Sequence, residues 1–176
     1  MTQPPVARES PTSHDLEMVA AQLGRDPRGA MAVAHRCPCG EVDVVQTNPR
    51  LPDGTPFPTT FYATCPRLTA AISTLESEGA MKGMEARLSD DESLAAAYRS
   101  AHEDYLARRA ELGSVPEIEG ISAGGMPSRV KCIHVLVAHS LAVGPGVNPL
   151  GDEAVDLLPK WWERSPCAQA LAPEGE

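Results

Sequence analysis

Cys37, Cys39, Cys65 and Cys132 are the residues of this 176-residue chain whose type and spacing best suit chemistry. Cys37-Pro38-Cys39-Gly40 is a tight knuckle. A Cys-x-Cys pair chelates one ion when the backbone turns between its ligands, and Pro38 and Gly40 suit such a turn. Cys65 lies beyond the turn sequence Leu51-Pro52-Asp53-Gly54, and the midpoint between Cys39 and Cys65 is Pro52. A hairpin folded there sets Cys39 opposite Cys65, across paired strands ~5 Å apart. Cys132 opens an apolar helix, where the dipole and the nearby Arg129 and Lys131 favour thiolate over thiol. Four such thiolates suit tetrahedral zinc or an iron–sulfur cluster. The dispersed spacing, with Pro after Cys37 and Cys65, leans toward the cluster. The knuckle-and-hairpin setting leans toward zinc, and the choice stays open. The plainer reading is four buried thiols packed as small hydrophobes. Cys167 falls in a stretch expected to fray, and is expected to be spare.

Histidines surround this group. Cys132 and His139 are seven residues apart and share one face of a helix, so His139 is a candidate ligand or a donor to a sulfur. His134 is ~140° from His139 around the helix at ~100° per residue, so these two do not chelate one ion. His35, just before the knuckle, is an outside candidate. A thiol enzyme is a further reading, with Cys65 or Cys132 as nucleophile and His139 as base. It leaves the remaining cysteines unexplained.

Two other patterns invite chemistry. Gly120-Ile121-Ser122-Ala123-Gly124-Gly125 runs into Ser128, Arg129 and Lys131. Gly124, Gly125, Ser128, Arg129 and Lys131 are therefore candidates for binding a phosphate or carboxylate at a helix start. Neither a Walker pattern nor GxGxxG is present, and a flexible connector is the simpler reading. Tyr98, His102, Tyr105 and Arg109 form one helical stripe. It reads as a partly buried amphipathic face, or as a cleft wall with His102 or Glu103 as an acid–base group.

The elements that must position these residues form an α+β pattern. A helix is expected from Asp15 to Leu23, ended by Gly24. Met31 to His35 reads as a short strand. Val42 to Thr47 and Thr59 to Thr64 read as two strands of an antiparallel hairpin. Helices follow around Leu68–Leu75, Ser93–Leu112, Val130–Val143 and Asp152–Glu163, and Met81–Leu88 reads as a short helix or a turn. The expectation is one domain over residues 13–164: a small antiparallel sheet packed by about five or six helices. Residues 1–12 are expected as a loose arm and residues 165–176 as a loose tail.

The net charge of −9 argues against general nucleic-acid binding, which needs a basic face to replace counterions. With a pI near 5.0, the chain also does not suit an anionic membrane surface. No apolar run approaches the ~18 residues of a membrane helix. Met1 to Thr12 lacks the charged-then-apolar order of a secretory signal, so the expected compartment is the cytoplasm. An odd cysteine count without such a signal also disfavours a disulfide framework. Arg far outnumbers Lys, and Ala, Gly and Pro are abundant, as in GC-rich bacterial genomes.

Several strings occur together: Arg36-Cys37-Pro38-Cys39-Gly40, Leu51-Pro52-Asp53-Gly54-Thr55-Pro56-Phe57-Pro58-Thr59, Thr64-Cys65-Pro66-Arg67-Leu68, Val130-Lys131-Cys132-Ile133-His134, Ala138-His139 and Asn148-Pro149. This set resembles the bacterial domain of unknown function 501 family over about residues 16 to 163. The resemblance carries no activity. It implies an association with genes for enolase, a septum-formation-initiator-like protein and an exopolyphosphatase-like enzyme, hence a housekeeping setting near cell division or phosphate metabolism. The cysteine pattern fits that family, with Cys167 extra.

The leading expectation is therefore a cytoplasmic metal-binding protein with a four-cysteine zinc or iron–sulfur site. An enzyme acting on a phosphorylated or anionic small molecule through the loop at 120–131 is the alternative. A third is an adaptor that meets a protein partner through its acidic surface.

Overall fold

The computed structural model describes residues 8–163 and Cys167. The expected loose arm at 1–7 and the rest of the expected tail lie outside the described residues. The order of elements is α1 (Ser13–Leu23), β1 (Ala30–Arg36), β2 (Val42–Thr47), β3 (Phe61–Ala63), α2 (Pro66–Ser77), α3 (Ala80–Asp90), α4 (Glu92–Ala110), α5 (Ile133–Val143) and α6 (Pro149–Leu157). This is the expected α+β class, with a three-stranded antiparallel sheet in the order β1-β2-β3.

Every residue of the central strand β2 is buried, because both faces of the sheet are covered. Helix α1 covers one face, where Val19 packs with Val33, Val42 and Val45. Helix α5 crosses the other, and its Ile133, Leu136 and Val137 join Val44, Phe61 and Ala63 in the main core. Helix α5 is apolar nearly all round, which suits a helix enclosed by the sheet, α2 and α6. Irregularities in the β1–β2 register fall between Ala30/Ala32, Val33/His35 and His35/Arg36, and they bend the hairpin toward its tip.

Helix starts carry their own chemistry. Thr12 caps α1: Asp15 N–H donates to its hydroxyl at 3.1 Å, and its own N–H donates to the Asp15 carboxylate at 2.8 Å. This is a reciprocal capping box. Asp91 caps α4 by accepting the Leu94 N–H, and Asn148 caps α6 by accepting the Gly151 N–H. Residues just before α1 are held as well, since Glu9 bridges to Val33 and Arg8 pairs with Glu111.

The stripe on α4 serves structure. Tyr105 is fully buried and its hydroxyl accepts the Thr60 N–H at 2.7 Å. Tyr98 donates to the Arg129 carbonyl at 3.0 Å. Arg109 donates to the carbonyls of Pro58 and Ile118, and His102 meets the Ser122 hydroxyl at 2.8 Å. The stripe thus ties α4 to the start of β3 and to the glycine-containing loop.

Candidate metal centre

The knuckle is the tip of the β1–β2 hairpin. Gly40 N–H donates to the Cys37 carbonyl at 2.8 Å, and Cys37 N–H to the Glu41 carbonyl at 2.9 Å. Gly40 sits at φ +95°, which a side chain would resist. Arg36 braces the tip from beside it. Its guanidinium donates to both Asp15 oxygens, at 2.8 and 3.0 Å, and also pairs with Glu9. That guanidinium holds the Asp15 carboxyl far below the usual carboxylate range, against the opposing pull of burial.

Strand β3 pairs with β2 as expected, with Val45 against Tyr62. Thr64 N–H then reaches the Asp43 carbonyl at 2.9 Å. This register sets Cys65 level with Val42, just past the knuckle, rather than opposite Cys39. Cys65 is the cap residue of α2, with Pro66 as the first helical residue. Its thiol is fully buried and neighbours that of Cys167, but it is not among the three sulfurs that lie within 4.8 Å of one another.

Cys167 is the addition. The residue expected to be spare is only 1% exposed. Its sulfur lies 3.6 Å from that of Cys37. The sulfurs of Cys37, Cys39 and Cys167 all lie within 4.8 Å of one another. Burial pushes the Cys37 thiol up to about 11 and drives that of Cys167 higher still. Cys39 moves the other way. Burial opposes its ionisation, but the N–H groups of Cys167 and Glu41 and the neighbouring thiols outweigh burial and hold it below the ordinary thiol value. Cys39 is thus the most readily ionised of the three thiols, while burial holds the other two back.

Cys132, expected to be the fourth sulfur, stands in a different group. Helix α5 begins at Ile133, so Cys132 is its cap residue, with extended backbone at φ −158° and ψ 113°. It therefore falls off the helical face it was expected to share with His139. Its side-chain partners are His134 and Glu76, and the three ligating atoms lie within 4.8 Å of one another. Burial opposes ionisation of Cys132. The hydrogen bond with His134 and the Val135 N–H outweigh it and lower the thiol. The bond to Cys132, aided by Glu76, pushes His134 up to about 9.

His139, expected as a ligand, belongs to neither cysteine group. It is fully buried. Its Nε2 meets the Asp104 carboxylate at 2.9 Å, and its Nδ1 meets the Asn148 amide nitrogen at 3.3 Å. The ring stacks on Phe61 at 5.8 Å and meets the edge of Tyr105 at 5.1 Å. Both nitrogens are committed, and burial lowers the basicity of the ring. His35 likewise pairs with Asp43 at 2.7 Å.

In the loop expected to cradle an anion, two of the candidate N–H groups are spent on the loop itself. Arg129 N–H donates to the Gly125 carbonyl at 2.9 Å and Lys131 N–H to the Gly124 carbonyl at 2.8 Å. The Arg129 guanidinium meets Glu85 at 2.9 Å. A Cβ on Gly125 would lie 2.7 Å from the Arg129 carbonyl oxygen, and one on Gly124 3.2 Å from that of Cys132. The glycines thus let the loop close tightly behind Cys132, and α5 begins at Ile133 rather than next to Ser128.

Sequence reasoning missed Cys167 and Glu76. Cys167 looked like part of a polar, proline-containing end. Glu76 is one of several acids in α2, and only its approach to the start of α5 sets it apart.

These features define an α+β protein with a buried cluster of cysteines at one end of its sheet. The chain belongs to the family described as Protein of unknown function (DUF501), whose profile matches residues 33–156. Cys37, Cys39, Cys65 and Cys132 lie inside that span, and Cys167 lies beyond it. No curated protein and no solved structure matches the chain. Among the described residues, no helix is long and apolar enough to cross a membrane.

Proposed function

We propose that this protein binds one zinc ion through Cys37, Cys39, Cys167 and Cys65, and that the ion serves to hold the fold together. The observation that carries the reading is the approach of the Cys37, Cys39 and Cys167 sulfurs to within 4.8 Å of one another. Sulfurs on a tetrahedral zinc, with bonds of ~2.3 Å, sit about 3.8 Å apart. The 3.6 Å between Cys37 and Cys167 matches that edge. An iron–sulfur cluster places its own iron and sulfide between the thiolates and needs them farther apart, so the spacing favours a single ion. Cys65, buried at the start of α2 and neighbouring Cys167, would supply the fourth corner. The N–H groups of Cys167 and Glu41 that reach Cys39 are the donors an anionic sulfur ligand requires.

Such an ion would join the hairpin tip, the start of α2 and the stretch containing Cys167. Its role would be structural, because these sulfurs fill the coordination shell and are largely buried. The test is cobalt substitution of the full-length protein. A four-sulfur site gives intense thiolate-to-metal absorption, which Cys167→Ser should abolish or shift strongly. Folded protein that takes up neither zinc nor cobalt at these cysteines, or a Cys167→Ser variant with an unchanged cobalt spectrum, would reject the reading.

A further inference from the structure

A second constellation lies away from the four sulfurs, at the start of α5. We infer that Glu76, Cys132 and His134 form a separate zinc site with one coordination position open to a cleft. Three ligating atoms of different chemistry (a carboxylate oxygen, a sulfur and an imidazole nitrogen) approach within 4.8 Å of one another. His134 Nδ1 lies 3.1 Å from Glu76 Oε1, and the same oxygen accepts the Ile133 N–H at 2.7 Å. The opposite ring nitrogen, Nε2, faces the Thr69 carbonyl oxygen at 3.3 Å and the Ser73 hydroxyl at 3.5 Å. An Nε2–H held by a backbone carbonyl leaves Nδ1, turned toward the carboxylate, as the ring nitrogen that would give up its proton to bind an ion. That is the usual arrangement of a metal-bound histidine, whose outer N–H is held by a carbonyl or a carboxylate. In the ion-free protein a proton on His134 bridges to the Glu76 carboxylate, and a zinc ion bound among the three ligating atoms would take that proton's place.

The donor set selects the ion. A thiolate disfavours magnesium and calcium, which take oxygen ligands, and a mixed sulfur, nitrogen and oxygen set is typical of zinc. Three protein ligands leave a fourth position for water or a small ligand. All three residues are only partly buried. Cys132 and His134 also line a cleft of about 390 Å³ together with Thr59, Phe61, Tyr62 and Thr69. The four-sulfur site proposed above would have a closed shell. This one is open on one side, as sites that exchange ligands are.

The two sites make separable predictions. Wild-type protein should hold two zinc ions per chain, and Glu76→Gln and Cys132→Ala should each hold one while retaining the four-sulfur cobalt spectrum. Should the four-sulfur centre prove empty, the same variants should still fall by one equivalent. A measurement on unmutated protein guards against misfolding of the variants. Zinc should slow iodoacetamide modification of Cys132 at least tenfold, read by peptide mass spectrometry. Equal zinc content in wild type and both variants, or modification of Cys132 at one rate with and without zinc, would overturn the inference. The second result would mark Cys132 and His134 as a metal-free thiol–imidazole pair.

Discussion

Replacing Asp15 by Ala removes two functions at once, and their sizes can be worked out separately. Asp15 closes the capping box of α1 through the Thr12 N–H, which is worth about 1 kcal/mol. It also accepts two charged hydrogen bonds from Arg36, and hydrogen bonds to charged groups contribute roughly 1.5–3 kcal/mol. Arg36 is 32% exposed and keeps Glu9 as a partner, so the lower half of that range applies. The expected loss is about 3 kcal/mol at pH 7, read by urea unfolding. The pH dependence checks the cause. The folded-state carboxyl is depressed below its ordinary 3.8, so its stabilisation is present above roughly pH 4 and is lost as pH falls toward the lowered folded value. One pKa unit corresponds to 1.36 kcal/mol, so the gap between wild type and variant should narrow by about 1 kcal/mol at pH 3. A gap below 1 kcal/mol at pH 7, or one that stays constant down to pH 3, would show that the brace on the knuckle is not electrostatic.

Two further substitutions probe the frame around the candidate sites. Tyr105→Phe leaves the buried Thr60 N–H without its acceptor and should cost about 1–3 kcal/mol in the same assay; no change would show that the N–H finds another partner. Gly151→Ala would place a Cβ 2.3 Å from the Leu136 carbonyl oxygen and 2.4 Å from Ser140 Oγ. It should destabilise by about 3 kcal/mol, the upper end for overpacking, since backbone cannot yield as a side chain can. Retention of the wild-type melting temperature would mean that α5 and α6 separate without cost.

Much of the frame was legible because its signals are local. β-branched residues on either side of the Pro52-Asp53-Gly54 turn announced β2 and β3. Gly24 ended α1, and the uninterrupted apolar run of α5 announced a helix with no exposed face. The knuckle at Cys37–Gly40 was legible for the same reason. The membership of the sites was not, because it depends on where a helix begins and on contacts between distant segments. A start at Val130 would have put Cys132 and His139 on one face. The start at Ile133 turns Cys132 into an extended cap residue aimed at His134 and Glu76. His139 was instead claimed by Asp104 and Asn148, neither of which its own helix supplies. The pairing of Cys167 with Cys37 spans 130 positions, and no local pattern encodes a contact at that range.

That long span has its own thermodynamic meaning. An ion bound there would act as a clasp across most of the chain, and closing a loop of roughly a hundred residues removes about 4–5 kcal/mol of disorder from the unfolded ensemble in the entropic model of cross-links. Chelation would then do more than empty a pocket: it would unfasten that clasp and let the unfolded chain visit a wider ensemble. The midpoint of urea unfolding would thereby become a gauge of metal occupancy.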